Sequence, residues 1–456
     1  MTTHTKTHHG HIPTAGERRR IALATFVGTT VEWYDFFIYA QVAALVFAQL
    51  YFAPLTGSTT ATIVAFMSAG VSFIFRPFGA VLGGYLGDKY GRKFVLVFTL
   101  TVMGGATVAI GLLPTFATIG VTAPILLIFF RILQGISAGG EWGGAALLAV
   151  ESAPQGQRGR YGAYPQLGGP AGMILAISSV IALSFTLSEE AFLAWGWRIP
   201  FVFSFLLIIV GFIIRRKVSE SPVFTELKEK KAETSAPLTQ LVRNHWRHVL
   251  LCALIFMGNG VGGYLLVGGY ITSYSTKILE MDKNPVLVAI LIGSFGWLTF
   301  TWIAGTLSDR LGRVRTYQLG FVIQVIVAFP IFALINTGVL SYLILAVILL
   351  SVGQGLTYGP QSALFCELFP ARVRYSGASV AYGLGALIGG AFAPTIATYL
   401  QGLTGTTTLI SVYVIVASLI GFTAVSVVKD RSNEPLEIPT EKAKAPAVDR
   451  EVPTPS

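Results

Sequence analysis

Charge is the property that this chain has least of: Asp, Glu, Lys and Arg make up only 12% of its 456 residues, whereas 53% are hydrophobic. A mean hydropathy of +0.67 is incompatible with an ordinary soluble domain of this length. Apolar runs of about 20 residues can instead cross a bilayer core as helices. The composition therefore predicts a protein that spans the membrane many times.

Groups that would support other functions are also scarce. The chain has only two cysteines, both within apolar segments, which excludes a disulfide framework. Four of its six histidines precede residue 12, in a segment that we interpret as a tail and not as a metal site. The sequence contains no catalytic triad, metal cluster or phosphate-binding loop, so we predict neither an enzyme nor a cofactor. The net charge of +10 fits contact with anionic lipid and does not call for nucleic acid.

The apolar stretches that are long enough to span a bilayer number twelve. They lie at about 21–50, 61–87, 94–113, 122–150, 161–185, 198–217, 248–275, 286–307, 316–335, 339–364, 375–401 and 406–428. The first span carries acidic residues and is too long for a cleaved signal, so we interpret it as a retained helix. The sequence thus predicts an all-α membrane protein of twelve transmembrane helices.

An internal duplication divides these helices into two sets of six. The stretch GYLGDKYGRK that begins at Gly84 recurs as GTLSDRLGRVR from Gly305, and segments around Gln134 and Glu151 recur in the same order later in the chain. A fixed internal period indicates repeated architecture, and this offset keeps helix direction, so the halves are parallel repeats. The predicted parts are an N-terminal tail 1–20, halves 21–217 and 248–428, a linker 218–247 and a C-terminal tail 429–456.

The Lys and Arg residues set the orientation. Most of the 32 fall in the tails, the linker and the turns on one side of the predicted helices. Because basic loops stay on the cytoplasmic side, we predict that both termini, the linker and the duplicated turn are cytoplasmic.

Five ionisable residues lie inside apolar spans, where charge is costly and is usually functional. They are Glu32, Asp35, Arg76, Arg131 and Glu141. At about 1.5 Å of rise per residue, all of them except Arg131 lie roughly 15 to 21 Å above the cytoplasmic face. We predict that the carboxylates Glu32, Asp35 and Glu141 carry protons. We further predict that Arg76 pairs with Glu141 and that Arg131 reaches towards Asp35 or a bound anion. A static network that only ties three helices together is the alternative.

The duplicated turn matches the GxLaDrxGrk signature of the major facilitator superfamily, which this chain resembles over all twelve helices. EWYDFFIYA at 32–40, FRPFG at 75–79, RILQGISAGGEWGGAALLAVESAP at 131–154 and WGWRIPF at 195–201 resemble its metabolite:proton symporter branch. Within that branch, GGEWGGAALLAVE is most similar to the shikimate-transporter-like members. The resemblance implies a multi-pass monomer in the bacterial inner membrane, with small molecules, protons and lipid as its partners.

The resemblance also implies alternating access, in which the halves rock about a central site. A cytoplasmic latch would close the inner side, formed by Gly84, Asp88, Gly91, Arg92, Lys93, Glu151, Arg158, Asp309, Arg310, Arg313, Glu367 and Arg374. Neutral side chains would add substrate contacts, and the candidates are Tyr34, Tyr39, Gln134, Trp142, Gln166, Tyr264, Tyr270, Gln324, Gln354, Tyr358, Gln361 and Tyr382.

The function that we predict is import of a small organic acid, shikimate-like or another carboxylate metabolite, by proton symport. A proton on Asp35 or Glu32 would free an arginine to hold the substrate carboxylate. Import of a zwitterion such as proline or betaine is the main alternative. Proton-driven efflux is a further one, although Met173 breaks the GPxxGG signature of antiporters, and so is a nutrient sensor that does not transport.

Overall fold

The computed structural model describes residues 14–90, 92–216, 241, 243–267, 269–371 and 373–436. These residues form helices joined by short turns, with no strand among them. Residues 1–13 of the predicted N-terminal tail, most of the predicted linker and residues 437–456 of the predicted C-terminal tail lie outside the described residues. The fold is the predicted bundle of twelve spans, which we number α1 to α12. The boundary between the two halves stays a prediction.

The first six spans have the following bounds. They are α1 (Ala15–Val42, Ala43–Phe52 and Ala53–Thr56), α2 (Ser58–Tyr90), α3 (Arg92–Leu112), α4 (Thr122–Gly139 and Glu141–Glu151), α5 (Arg158–Thr186) and α6 (Glu189–Ala191, Phe192–Gly196 and Arg198–Arg216).

The last six spans repeat this pattern of long, partly interrupted helices. They are α7 (Trp246–Val267 and Tyr270–Lys277), α8 (Lys283–Leu311), α9 (Arg313–Ile335), α10 (Leu340–Tyr358 and Gln361–Leu368), α11 (Arg374–Gly385, Ala386–Gly390 and Ala393–Thr404) and α12 (Thr408–Val427).

The start of α1 lies further towards the N-terminus than the sequence predicts. The hydroxyl of Thr14 accepts the backbone N–H of Glu17, and the Glu17 carboxylate accepts the backbone N–H of Thr14 at 2.7 Å. This capping box satisfies donors that the first helical turn leaves open. It starts the helix at Ala15, inside the segment that we predicted as tail.

The glycine-rich α7 is interrupted at Gly269, where the backbone has a φ of 85°. A residue with a Cβ rarely adopts that conformation, so glycine permits the break at low cost. The sequence GNGVGGYLLVGGY predicts a helix that bends easily. In the structure the helix is interrupted at Gly269.

Contacts between helices assemble the two sets of six around a central seam. In the first set α1 packs against α5, α2 against α4, and α3 against α6. In the second set α8 packs against α10, α9 packs against α10, and α12 packs against α7. The helices α9 and α12 also pack against each other. The sets meet mainly where α5 lies along α8, and also where α11 contacts α2 and α4. The helices α2 and α4, which carry Arg76, Arg131 and Glu141, therefore lie beside this seam.

Glycines bring the backbones of α2 and α4 into direct contact. A Cβ built on Gly139 would lie 1.9 Å from the backbone oxygen of Arg76, and one built on Gly135 would lie 2.1 Å from that of Ser72. On the opposite helix, a Cβ on Gly79 would lie 1.9 Å from the backbone oxygen of Ile136. Small residues allow such close approach between helices in lipid, where tight packing stabilises the pair. The contact holds Arg76 and Glu141 on neighbouring helices.

We predict that Gly139→Ala lowers the stability of the folded protein by about 1 to 3 kcal/mol, because the added methyl group meets backbone and must push α2 away from α4. Thermal unfolding of the purified protein in detergent measures this change. The matched control is Gly105→Ala in α3, where a Cβ would have no neighbour within 4 Å. Equal midpoints for the two variants would contradict the close contact.

Candidate functional site

Asp35 is a buried carboxylate that is held by hydroxyl groups. Its side chain lies in α1 with 1% of the residue exposed. Oδ2 accepts the hydroxyl of Thr107 from α3 at 2.8 Å, and Oδ1 accepts the hydroxyl of Ser204 from α6. Within the described part of the chain, Asp35 makes no ion pair. A carboxylate without a fixed counter-ion can gain a proton and leave every ion pair intact.

A chain of hydrogen bonds runs from Asp35 to Arg131. Thr107, the hydroxyl donor to Asp35, accepts Nε2–H of Gln134 at 2.7 Å. The other end of that amide, Oε1, accepts Nη1–H of Arg131 at 2.8 Å. The predicted approach of Arg131 to Asp35 thus takes an indirect form, with Gln134 and Thr107 between them. The same arrangement connects α1, α3 and α4.

The guanidinium of Arg131 is committed to its surroundings. Nη2 donates to the backbone oxygen of Ala69 at 2.7 Å and to the hydroxyl of Ser72 at 2.9 Å, both in α2. The guanidinium carbon also lies 4.0 Å from the ring centroid of Tyr39, whose hydroxyl bonds Ser68 at 2.7 Å. With these partners and Gln134, Arg131 joins α4 to α2 and α1.

Arg76 is equally buried but has different neighbours. Only 4% of the residue is exposed, and its guanidinium carbon lies 4.4 Å from the ring centroid of Phe73 and 5.5 Å from that of Trp33. Its Nε and Nη1 are buried and have no hydrogen-bond partner. The predicted pairing of Arg76 with Glu141 stays a prediction. Each of these two nitrogens is a donor that a carboxylate oxygen could accept.

Aromatic rings from both halves close the space beside Arg76. Tyr264 of α7 lies 5.4 Å from Phe73, 5.9 Å from Phe36 and 6.5 Å from Trp33, measured between ring centroids. The Tyr264 hydroxyl and the Trp33 indole nitrogen are buried and have no hydrogen-bond partner. A cavity of about 10 Å³, the volume of one water molecule, remains between α11 and the rings of Phe36, Phe73 and Tyr264. Any larger ligand must displace these rings.

A second group of rings joins the halves nearby. Trp142 of α4 stacks on Tyr382 of α11 with 4.0 Å between centroids. The indole N–H of Trp142 donates to Oε1 of Gln166 at 2.9 Å, and the Gln166 amide donates to the backbone oxygen of Tyr358 at 3.1 Å. Four of the predicted substrate contacts therefore form one cluster across the seam.

The other predicted substrate contacts are placed less centrally. Tyr39 and Gln134 support Arg131. Tyr34, for example, donates its hydroxyl to the backbone oxygen of Pro200 at 2.9 Å. Five candidates of this kind contact residues of their own half: Tyr34, Tyr270, Gln324, Gln354 and Gln361.

Asp309 joins the halves at the predicted cytoplasmic end of the bundle. Its carboxylate, at the end of α8, accepts the backbone N–H groups of Gly159 and Arg160 at 2.8 Å each. These groups belong to the first turn of α5, whose open donors and helix dipole favour a negative charge. The same carboxylate pairs with Arg313 at 2.8 Å.

Glu367 of α10 extends this arrangement, because it binds two arginines. Oε1 lies 3.2 Å from Nη2 of Arg313 and 3.2 Å from Nη1 of Arg158. A further ion pair of 3.2 Å joins Arg374 of α11 to Glu151 of α4. Two of these three pairs connect the first half to the second.

The remaining predicted latch residues differ in their placement. Arg310 is exposed beside Asp309. The first copy of the turn, predicted at Gly84, Asp88, Gly91, Arg92 and Lys93, lies outside the residues and side chains that the structure describes.

Sequence reasoning missed Thr107 and Ser204, the two hydroxyl donors to Asp35. Each lies in an apolar run with no spacing or charge to mark it. It also missed Asp430, which we predicted as part of the C-terminal tail and which the structure places against α9. Only the packing of distant helices identifies these three residues.

Comparisons with known proteins identify the family of this chain. The family model of the Major Facilitator Superfamily matches residues 24–394 and 303–454. The chain belongs to this superfamily. It is 40% identical to the inner membrane metabolite transport protein YhjE of Escherichia coli over 84% of this chain and 88% of that protein. It is 36% identical to the shikimate transporter of the same organism over 90% and 94%.

The chain is also similar to a proline/betaine transporter and to a solved structure. The Escherichia coli proline/betaine transporter is 31% identical over 92% of this chain and 85% of its own length. A solved structure of the proton:xylose symporter XylE superposes with a TM-score of 0.76 at 16% identity, covering 93% of this chain and 99% of XylE. That likeness confirms the fold. The relatives are transporters, so this superfamily member is a transporter and not an enzyme.

We predict that Glu367→Gln destabilises the folded protein by about 3 kcal/mol, because two buried arginines lose the carboxylate that they share. The midpoint of thermal unfolding in detergent measures the loss. Arg310→Gln is the control, since this exposed residue lies on the same turn as Asp309 and its loss should change stability by less than about 0.5 kcal/mol. A Glu367→Gln protein as stable as the control would show that the buried pairs contribute little.

Proposed function

We propose that this transporter imports a small organic acid together with a proton, with Asp35 as the proton carrier. The observation that carries the proposal is the setting of Asp35: a buried carboxylate held by two hydroxyls and joined through Thr107 and Gln134 to Arg131. Ionisable groups at such depth are costly and are retained for function. The hydrogen-bonded chain gives the charge on Asp35 a physical connection to Arg131.

Thr107 can satisfy Asp35 in both protonation states. Its hydroxyl lies 2.8 Å from Oδ2 of Asp35 and 3.0 Å from the backbone oxygen of Met103. When Asp35 is ionised, the hydroxyl donates to the carboxylate. When Asp35 is protonated, the hydroxyl can turn towards Met103 and accept from the carboxylic acid, because it has one donor and two acceptor sites. Proton uptake then leaves both Asp35 and Thr107 with hydrogen-bond partners and needs no repacking.

Arg76 is the arginine that we assign to the substrate carboxylate. Arg131 already donates to an amide oxygen, a backbone oxygen and a hydroxyl and has only Nε without an acceptor, whereas both Nε and Nη1 of Arg76 have none. A substrate carboxylate would accept a hydrogen bond from one of these nitrogens. Hydroxyl groups on the substrate would then meet the open indole N–H of Trp33 and the hydroxyl of Tyr264. Glu32 and Glu141 stay predicted partners in proton transfer.

The aromatic rings favour an organic acid over betaine. A quaternary ammonium group binds against exposed aromatic faces. The rings of Phe73 and Trp33 lie beside the Arg76 guanidinium, which would repel a second cation. Trp142 and Tyr382 stack with their planes only 7° apart, so each covers a face of the other. A zwitterion remains the second candidate, supported by the similarity to the proline/betaine transporter.

The first test of this proposal is a substrate screen in proteoliposomes loaded with a pH-sensitive dye. Shikimate, protocatechuate, 2-oxoglutarate, citrate, proline and betaine are added outside in turn. We expect internal acidification with a cyclic carboxylate and none with betaine, because Arg76 provides donors for an anion. Acidification with betaine or proline alone would show that the substrate is a zwitterion. Uptake of labelled acid without acidification would show that transport is not coupled to a proton.

The variant Arg76→Gln tests whether Arg76 binds the carboxylate of the transported acid. The amide keeps a hydrogen-bond donor but loses the charge, so the half-saturation concentration of the transported acid should rise at least tenfold. An unchanged half-saturation concentration would place the carboxylate elsewhere, even if proton coupling holds.

We predict that Asp35→Asn abolishes uphill accumulation of the acid and spares exchange of labelled for unlabelled substrate. The asparagine side chain has nearly the same shape but cannot bind and release a proton. Accumulation under an imposed pH gradient and counterflow without a gradient measure the two activities separately. Asp282→Asn, at the start of α8 and outside the central seam, is the matched control. Accumulation that survives in the Asp35 variant would contradict the assignment of the carrier.

A further inference from the structure

The segment that follows α12 lies across the predicted latch. Residues 430–436, which we call the strap, contact α5 of the first half and α9 of the second. Leu436, the last described residue, packs against the buried hydrophobic core. The ion pairs that Glu434 makes with Lys429 and Arg431 are exposed and contribute little. The contacts made by Asp430 and by the strap's backbone oxygens are therefore the ones that matter.

Asp430 binds the strap to the second half by capping α9. Oδ2 accepts the backbone N–H of Val314 at 3.0 Å, in the first turn of that helix, and Oδ1 accepts the backbone N–H of Ser432 at 2.9 Å. A Cβ on Gly312, whose φ is 91°, would lie 2.5 Å from Oδ2, so a glycine is needed there for both conformation and space.

The charge of Asp430 is stabilised in this position. Burial alone would raise its pKa, but the hydrogen bonds from Ser432 and Val314 and the charge of Arg313 together hold the pKa below its ordinary value. Asp430 is therefore ionised at neutral pH, where an anion at a helix N-terminus is most favourable.

Arg158 binds the strap to the first half. This buried residue begins α5, and its Nη2 donates to the backbone oxygen of Ser432 at 3.0 Å and to that of Glu434. Its Nη1 is paired with Glu367. The backbone oxygens of the strap thus accept hydrogen bonds from Nη2, the terminal nitrogen that is not paired with Glu367. One buried cation of the first half is satisfied entirely by groups of the second half and of the strap.

We propose that the strap clamps the two halves together at the predicted cytoplasmic end and sets how often this side opens. Opening moves α5 away from α8 and α10, so it must break the bonds from Arg158 to the strap. Charge-assisted hydrogen bonds of this kind are stronger than neutral ones. Loss of the strap therefore shifts the protein towards its inward-open form. The proposal depends on the geometry of the latch and not on which substrate is carried.

The test measures the exposure of a thiol placed at the seam. Ser362 of α10 is fully buried, and its Cβ lies 3.3 Å from where a Cβ on Gly162 of α5 would be. Ser362→Cys, in a protein whose two cysteines are replaced by alanine, is reacted with N-ethylmaleimide in proteoliposomes. Ending the chain after Lys429 should raise the labelling rate about tenfold, and Asp430→Asn should raise it by a smaller factor.

Three controls separate the strap from other effects. Ending the chain after Leu436 keeps the strap and should leave the labelling rate unchanged. Glu434→Gln makes the same acid-to-amide change as Asp430→Asn but keeps the backbone oxygen that Arg158 binds, so it should also have no effect. The third control is a second protein, whose only cysteine is Cys252, buried in α7. It carries the same truncations and substitutions and should stay unreactive in each form that remains folded.

Two results would overturn the proposal. One is an unchanged labelling rate of Ser362→Cys when the chain ends after Lys429, with the same truncation leaving Cys252 unreactive in the protein that has Cys252 as its only cysteine. The other is an equal rise when the chain ends after Leu436, which would assign the effect to residues beyond the strap.

Discussion

A charge inside the bilayer must be solvated by the protein itself, and this constraint shapes the whole first half. An ion that leaves water without compensation costs several kcal/mol. Asp35 is solvated by two hydroxyls, whereas Arg131 is solvated by an amide, a backbone oxygen, a hydroxyl and a ring. Arg76 has rings beside it and two nitrogens without acceptors. Arg131 has one buried nitrogen, Nε, without an acceptor, so Arg76 is the arginine with more hydrogen-bonding capacity left for a ligand.

The need to solvate buried charge also distinguishes two kinds of contact: those that persist, and those whose polar groups can bind water instead. Inside the first half, glycines such as Gly139 hold α2 and α4 together through backbone packing, which water cannot replace. Between the halves, Asp309 and Glu367 hold helix N–H groups and arginines at the predicted cytoplasmic end. Water can solvate these groups when the halves part. This difference in chemistry fits two rigid halves that rock about a seam.

Aromatic rings from both halves close the centre of the protein through contacts that are individually weak. Tyr264 from the second half lies against Phe36 and Phe73 of the first, and Trp142 stacks on Tyr382 across the seam. Such ring contacts are individually modest, about 0.5 to 1.5 kcal/mol beyond area burial, and they tolerate sliding. The centre can therefore close over a small gap and open again for a ligand without the loss of an ion pair.

The sequence by itself determined the twelve helices, the duplication and the residues that carry charge into the membrane, because hydrophobic length and buried charge are local properties of a chain. Only the tertiary structure decided how Asp35, Arg131 and Arg76 differ, because their partners come from other helices: Thr107 and Ser204 are ordinary hydroxyls until α3 and α6 pack against α1. The role of the segment after α12 was likewise hidden. Its composition favours disorder, and the order of residues 430–436 depends on an arginine and a helix end that lie far away in the chain.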